Sequence, residues 1–494
     1  MYLGKSFDDY LSSSNEIGFV EVLKFPLVGV SGLPNAFIGE VVVFSSNSLG
    51  MVFSLEEDTA LILLLGEFPI SVGEKVTRTG NLLQVMAGSS LLGGAFNPLG
   101  KEIFGRYLPL EEMSIMDVFA EPPDFSSRNH IKDPLETGVS IVDLMVPLGK
   151  GQRELIIGDR KSGKTEFLLQ TILSQINKGS ICIYASIGKN KTDILNVLDF
   201  ARESKNSDNF ILVCSSASDS PGEIYLTPYT AMAYAEYFRD QGEDVLLILD
   251  DLTTHAIYYR EMSLIAGSFP GRGSYPGDIF YTHSQLLERA GNFNVNGRPC
   301  AITCLPVADT TEGDISGFIQ TNLMSMTDGH IFFDESLFDS GRRPAVNTFL
   351  SVTRVGRQVQ SKLHKSLNRE LTGFMNLLRK HEKFVHFGAE ISEGIKSSLE
   401  TGAKLEAFFN QSPRFVYPQK IQYLLFTLLW GGLITVKQIN GLRFLGEKLV
   451  DSYSQDSNFR NYVDSLFNED MDFNDLLAKV MQEKESIKEI LGIQ

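Results

Sequence analysis

Eight consecutive residues, Gly158-Asp159-Arg160-Lys161-Ser162-Gly163-Lys164-Thr165, follow directly on the apolar run Glu154-Leu155-Ile156-Ile157. Glycine at Gly158 and Gly163 lets backbone N–H groups approach a phosphate, Lys164 has the reach for β and γ oxygens, and a hydroxyl at Thr165 suits a magnesium ion. Glu166-Phe167-Leu168-Leu169-Gln170 then opens a helix, whose N-terminal end attracts anions. Strand, loop and helix in this order imply a cradle for a nucleoside triphosphate; the plain alternative is a glycine-rich turn with no ligand.

A carboxylate on a second buried strand would complete the chemistry. Asp244-Val245-Leu246-Leu247-Ile248-Leu249-Asp250-Asp251 has the form required, five aliphatic residues and then two acids where the strand should end. Asp250 is the expected partner of Thr165 at Mg²⁺, through metal-bound water, although an acid pair there could equally cap a turn. No H-E-x-x-H occurs among the seven histidines, which removes a metal-hydrolase reading. The four cysteines, Cys182, Cys214, Cys300 and Cys304, lie in apolar runs without histidine at metal spacing and read as core residues.

The chain has 494 residues and 43% hydrophobic content, enough for about three domains with cores of their own. Its 61 acids against 44 bases leave a formal charge of −17, so nucleic acid is not the expected partner. Met1-Tyr2-Leu3-Gly4-Lys5-Ser6 lacks an apolar signal core, and no apolar stretch is long enough for a bilayer. The longest, Ile421 to Val436, is interrupted by Gly431-Gly432 and is expected to be a buried helix.

The elements that must carry these residues follow from periodicity. Short β-rich runs at Gly18–Leu23, Phe37–Phe44, Met51–Leu55, Thr59–Leu65 and Glu74–Thr77 imply a small N-terminal barrel or sandwich over residues 1–78. Over 79–360 apolar strands alternate with longer helical stretches, at Ser180–Ile187, Phe210–Cys214, Val245–Leu249, Ala301–Leu305 and Gly329–Phe333. This predicts a central α/β domain with a mainly parallel sheet. From 361 to 494 apolar residues recur at helical spacing (Leu371, Phe374, Leu378; Ile391, Ile395, Leu399), giving a C-terminal helical domain. Glu121-Pro122-Pro123-Asp124-Phe125-Ser126-Ser127 reads as extended.

Longer segments then carry a resemblance. Gln152 to Arg160, Tyr237-Phe238-Arg239-Asp240, Arg260-Glu261-Met262-Ser263-Leu264, Tyr275-Pro276-Gly277-Asp278, Leu286-Leu287-Glu288-Arg289-Ala290 and Ser351-Val352-Thr353-Arg354-Val355-Gly356 together resemble the alpha subunit family of F-type ATP synthases. The resemblance implies a β-barrel, a RecA-like phosphate-loop domain and a helical bundle. It also implies a ring of three alpha and three beta subunits around a rotating gamma stalk, a delta-type peripheral stalk, and bound ATP or ADP with Mg²⁺. Membrane contact would be indirect, through an ion-translocating sector on the cytoplasmic face of a bacterial plasma membrane or the equivalent organelle face.

The same resemblance assigns roles. Catalytic relatives orient the attacking water with a Glu after the third strand; here the matching segment is Ile187-Gly188-Lys189-Asn190-Lys191-Thr192, so the chain's own site should retain nucleotide without hydrolysis. Arg354 matches an arginine finger reaching a neighbouring beta site, Arg343-Pro344 an adenine-flanking pair, and Gln411 a base-contacting residue. Gly267-Ser268-Phe269-Pro270-Gly271-Arg272-Gly273-Ser274 departs from the family by losing two cations and one acid in the loop expected to face the stalk. Only about fifteen residues precede the barrel, so peripheral-stalk docking is expected to differ. The alternatives are a homohexameric export ATPase, against which Lys189 speaks, a Rho-like RNA translocase, for which the barrel has few basic residues, and a structural nucleotide-binding ring protein.

Overall fold

The computed structural model describes residues 5–66, 69–104, 113–203, 207–386, 392–413, 415–434, 441–468, 470–485 and 487. Its residues group into two compact units, one of residues 1–130, 179–309 and 315–327, the other of residues 131–178, 310–314 and 328–494.

In the first unit, helix α1 (Phe7–Ser14) starts at a capping box in which Ser6 and Asp9 satisfy each other's backbone N–H groups. Six antiparallel strands follow: β1 (Gly18–Lys24), β2 (Leu27–Ser31), β3 (Glu40–Phe44), β4 (Leu49–Leu55), β5 (Thr59–Leu65) and β6 (Lys75–Leu82). They close as β1-β2-β5-β4-β3-β6, with β6 pairing back to β1, which leaves no open edge. Alternate residues fill the barrel, among them Val20, Val28, Val30, Val42, Phe44, Val52, Ile62, Leu64 and Val76. The sequence pattern finds every strand but β2, which follows the Phe25-Pro26 corner directly.

The α/β part of this unit is mainly parallel, as the unbroken apolar runs require for strands covered on both faces, with Gly291–Val295 added antiparallel to Arg298–Thr310. Strand Ile181–Lys189 lies between Phe210–Ser216 and Val245–Asp250, and Val245–Asp250 pairs in turn with Arg298–Thr310. The register sets Ser186 beside Asp250. Helix Pro221–Asp240 begins with Ser220 as N-cap and proline at its first position, and is buried along most of its length. All four cysteines are buried and outside any disulfide, Cys300 and Cys304 within strand Arg298–Thr310.

In the second unit, strand Glu154–Asp159 runs parallel to Gly329–Phe333, and the short strand Val352–Thr353 pairs antiparallel to the latter. Helix Lys164–Asn177 follows the first strand after four residues. The chain ends in helices Lys362–His386, Glu393–Phe409, Gln419–Trp430, Leu442–Gln455, Ser457–Ser465 and Phe473–Gln482. Ser392 and Asp472 cap two of them. Helix Gln419–Trp430 is buried from Ile421 to Leu429, as its composition predicts, and Phe426 stacks on Trp430 with centroids 5.3 Å apart. Ile391 and Val436 lie outside the described residues. The predicted extended segment contains a short 3-10 turn at Phe125–Ser127. No helix among the described residues is long and apolar enough to cross a membrane.

Candidate nucleotide site and arginine finger

The phosphate loop is built on backbone that few other sequences tolerate. A Cβ at Gly158 would lie 2.4 Å from the Phe333 carbonyl oxygen, so the last but one residue of strand Glu154–Asp159 is glycine because its parallel neighbour crowds it. Lys161 and Gly163 both take positive φ, 64° and 94°. The buried Ser162 hydroxyl donates to the Asp159 carbonyl at 2.7 Å. Lys164 Nζ donates to the carbonyls of Gly158 at 2.8 Å and Asp159 at 2.6 Å, folding its ammonium into the loop. Asp159 anchors the loop from outside: its carboxylate accepts from the Thr310 hydroxyl at 2.5 Å and from Gly313 N–H at 2.8 Å. Arg160, Lys161 and Thr165 are exposed, Thr165 in the first turn of helix Lys164–Asn177, where unpaired N–H groups and the helix dipole give a positive field.

Arg343 and Pro344, joined by a cis peptide bond, lie close to this loop. The Arg343 guanidinium carbon is 3.4 Å from the Phe338 ring centre, and its Nη1 donates to the carbonyls of Phe338 at 2.6 Å and Arg342 at 2.8 Å. That Phe338 ring comes within 3.5 Å of the space a Cβ on Gly163 would fill. Phe338 is thus part of the site, and sequence reasoning passed over it; a phenylalanine five residues before Arg-Pro was the available signal.

Gln411 sits here too, but as a brace. Its backbone N–H donates to the Arg343 carbonyl at 2.7 Å. Its side-chain nitrogen donates to the carbonyls of Gly138 at 2.7 Å and Phe415 at 2.6 Å, while its oxygen accepts from Ser140 N–H at 3.1 Å. Both ends of this buried amide are therefore engaged with main chain. Beside it opens a cleft of about 490 Å³ lined by Glu166, Ser412, Pro413, Phe415 and Glu447, a size suited to a small ligand.

Arg354 follows strand Val352–Thr353 on a rigid mount. Its N–H donates to the Asp328 carbonyl at 3.1 Å; Thr353 donates its hydroxyl hydrogen to the Pro147 carbonyl at 3.1 Å and accepts from Gly356 N–H at 3.1 Å. Beneath it the buried Glu154 accepts from Gln152 Nε2 at 2.6 Å, and burial raises its carboxyl well above the usual range, against the Gln152 hydrogen bond and the Arg354 charge that pull it down. The Arg354 side chain itself is exposed and makes no hydrogen bond or ion pair with the described residues.

Strand Ile181–Lys189 and strand Val245–Asp250 bring a second cluster together. Lys189 Nζ lies 2.9 Å from Asp250 Oδ1 and 2.7 Å from Asp251 Oδ2, and the Tyr184 hydroxyl donates to Asp250 Oδ2 at 2.6 Å. Burial alone would lower the Lys189 ammonium, but the two carboxylates outweigh it and hold the group above its ordinary value. Asp251 is shifted upward by burial despite Lys189, and its Oδ1 caps helix Leu252–Ile265 by accepting from Thr254 N–H at 2.6 Å. Sequence reasoning placed Asp250 and Lys189 singly; Tyr184 and the ion pairing were missed, since they depend on which strands are neighbours.

Two family models match this chain. The ATP synthase alpha/beta family, nucleotide-binding domain, covers residues 138–353, and the beta-barrel domain of the same family covers residues 13–80. The chain is 41% identical over 427 residues to the ATP synthase subunit alpha of Dictyoglomus thermophilum, covering 86% of this chain and 84% of that protein. It is 40% identical over 412 residues to that of Mycoplasmopsis synoviae (82% and 77% covered), and 37% identical over 459 residues to that of Carsonella ruddii (90% and 94% covered). The chain belongs to the ATP synthase alpha/beta family, and within it to the alpha subunits.

Proposed function

We propose that this alpha-type chain holds ATP or ADP at a site of its own without hydrolysing it, and lends Arg354 to the catalytic site of a neighbouring beta subunit. The observation that carries the first half is Lys189. Hydrolysis needs a group that orients or deprotonates the attacking water, and the residue at the matching place is an ammonium tied to two carboxylates. The loop from Gly158 to Thr165 supports retention of the triphosphate, with Lys164 already aimed into it and Arg343, Pro344 and Phe338 flanking the base side. Gln411 supports the base side by holding the Arg343 main chain.

Magnesium would accompany the nucleotide, with Thr165 offering its hydroxyl and Asp250, whose oxygens accept from Lys189 and Tyr184, expected to act only through metal-bound water. No step is routed through the metal.

Arg354 supports the second half: an exposed guanidinium, held at its base and unpaired by the described residues, is available to charge on another protomer. The partners are then beta subunits alternating with this chain, a gamma stalk inside the ring and a delta-type peripheral stalk. Ion movement through a membrane sector is coupled to synthesis or hydrolysis at the beta sites, and this chain stays peripheral on the cytoplasmic or equivalent face. The stalk-facing loop would make its contact through Phe269, 94% exposed, beside the one cation it keeps, Arg272.

The test is direct. The purified chain should bind ATP and show no steady release of phosphate. Sustained turnover by this subunit alone would overturn the non-hydrolysing assignment.

A further inference from the structure

Asp143 is a buried acid that the phosphate loop does not use, on the short helix Ser140–Met145. Four donors converge on its carboxylate. Oδ1 accepts from the Thr137 N–H at 2.8 Å and hydroxyl at 2.7 Å, and Oδ2 from the Gly138 N–H at 2.9 Å and Gln422 Nε2 at 2.7 Å. Gly138 passes the constraint on, because its carbonyl accepts from Gln411 Nε2 at 2.7 Å, and the Gln411 N–H donates to the Arg343 carbonyl at 2.7 Å. Asp143, Gly138, Gln411 and Arg343 are thus joined by successive hydrogen bonds, and all four lie in the second unit. The arrangement suits an ionised carboxylate, which only accepts; a protonated carboxyl carries a hydrogen on one oxygen and must release one of these donors into a buried setting.

We propose that ionised Asp143 is a positioning residue for the bound nucleotide: by holding Gly138 and, through Gln411, the Arg343 main chain, it fixes the base side of the site, and its protonation loosens the base while leaving the grip on the phosphates. The proposal rests on the reading that this chain holds ATP or ADP with Arg343 and Pro344 beside the base. Burial raises Asp143 to about 6, against the Thr137 and Gln422 hydrogen bonds that pull it down. Glu136, paired with Lys178 at 2.6 Å, adds to the rise. Three helices pack against Ser140–Met145. Lys362–His386 brings His364, whose imidazole burial lowers to about 4, and Gln419–Trp430 brings Tyr423, whose phenol burial drives far above its ordinary value; both are neutral near pH 6. Glu393–Phe409 buries Leu405, Phe408 and Phe409, which do not titrate. Asp143 is therefore the group that changes charge here, and base-side affinity is complete above about 6 and is lost as pH falls through it.

The experiment measures binding of ATP and of inorganic tripolyphosphate, which has no base, by calorimetry across pH for the wild type, Asp143→Asn and Gln422→Met. At neutral pH Asp143→Asn should bind ATP about tenfold or more weakly than the wild type, while its affinity for tripolyphosphate changes less than about twofold. Gln422→Met deletes a hydrogen bond that favours the ionised carboxylate and should move the fall in ATP affinity to higher pH than in the wild type. Protonation of the ligand itself is common to the three proteins and cancels in this comparison. Equal losses for both ligands in Asp143→Asn, or full ATP affinity there, overturn the proposal, as does an unmoved pH profile in Gln422→Met. Should Asp143→Asn fail to fold, or tripolyphosphate bind too weakly to measure, the profiles of the wild type and Gln422→Met decide. If the wild type binds no ATP, the nucleotide reading itself fails and this inference falls with it; ATP binding that is indifferent to Asp143 removes this inference alone.

Discussion

Arg289 and Glu236 form an ion pair 2.5 Å long, with side chains only 1% and 5% exposed. The pair joins the end of helix Ile279–Glu288 to helix Pro221–Asp240, and Arg289 Nη1 also donates to the Val118 carbonyl at 2.7 Å. Removing one partner of such a pair leaves a buried charge and costs about 3–5 kcal/mol. The two halves are unequal here, because Glu236 has a weaker second partner in Arg239 at 3.8 Å whereas Arg289 keeps only a carbonyl. Glu236→Met should therefore lower the urea midpoint of the isolated chain more than Arg289→Met, and the double variant should be milder than the sum. Strict additivity, or the opposite ranking, would contradict this account.

Arg354→Ala should reduce ATP turnover of the ring reassembled with beta and gamma subunits by about 10³- to 10⁵-fold, the usual contribution of an arginine finger. ATP affinity of the isolated chain should stay unchanged, since Arg354 lies on a strand end apart from the phosphate loop within the same unit. Arg354→Lys should restore little, because an ammonium lacks the planar fork that meets several phosphoryl oxygens at once. Steady-state turnover and equilibrium nucleotide binding, measured on the same preparations, check both halves.

A glycine behind the finger gives an independent handle on it. A Cβ on Gly329 would lie 2.1 Å from the Val352 carbonyl and 2.6 Å from a Glu154 carboxyl oxygen, so the strand leading to Arg354 is packed against bare main chain. Gly329→Ala must push Val352–Thr353 outward or deform Glu154, an overpacking cost of about 1–3 kcal/mol. The expected result is a folded chain with normal ATP binding that gives a reassembled ring of reduced kcat and unaltered KM. A Gly329→Ala ring with wild-type kcat would show that the mount does not govern the finger.

The parts of this molecule that sequence revealed are those that repeat locally. Val245 to Leu249 announces a buried parallel strand by composition alone, and Gly158 to Thr165 announces its loop because phosphate binding demands glycine, lysine and hydroxyl at fixed spacing. Strand Leu27–Ser31 was missed because it begins one residue after Pro26, where a turn signal masks a short strand. The pairing of Lys189 with Asp250 was not legible for a different reason: it depends on the register that puts Ser186 beside Asp250, a relationship between residues far apart in the chain. Gln411 was named only through the resemblance, as a base-contacting residue, and its hydrogen bonds to Gly138, Ser140 and Phe415 depend on how distant segments fold around it.

His255 and His283 face each other with ring nitrogens 3.1 Å apart, among Tyr225, Tyr229 and Tyr259. Burial lowers the His255 imidazole to about 4 and drives His283 well below its ordinary value, with the His255 charge opposing it further. Both rings are neutral in the folded chain, whereas in the unfolded chain they take up protons near the ordinary pKa of about 6.5. The unfolded state thus binds more protons between about 6.5 and 4, so the stability due to these rings is complete above that window and is lost as pH falls through it. Buried Asp143, raised to about 6, acts in the opposite sense, since its folded form holds a proton that the unfolded form releases. The net slope of the wild type mixes these contributions, and a single substitution separates them. His255→Phe should flatten the dependence of the unfolding free energy on pH between 6.5 and 4 by up to about one proton, leaving Asp143's opposing contribution in place. Urea titrations at several pH values supply the slopes, and an unchanged slope in His255→Phe would mean that the pair is not the acid-labile element.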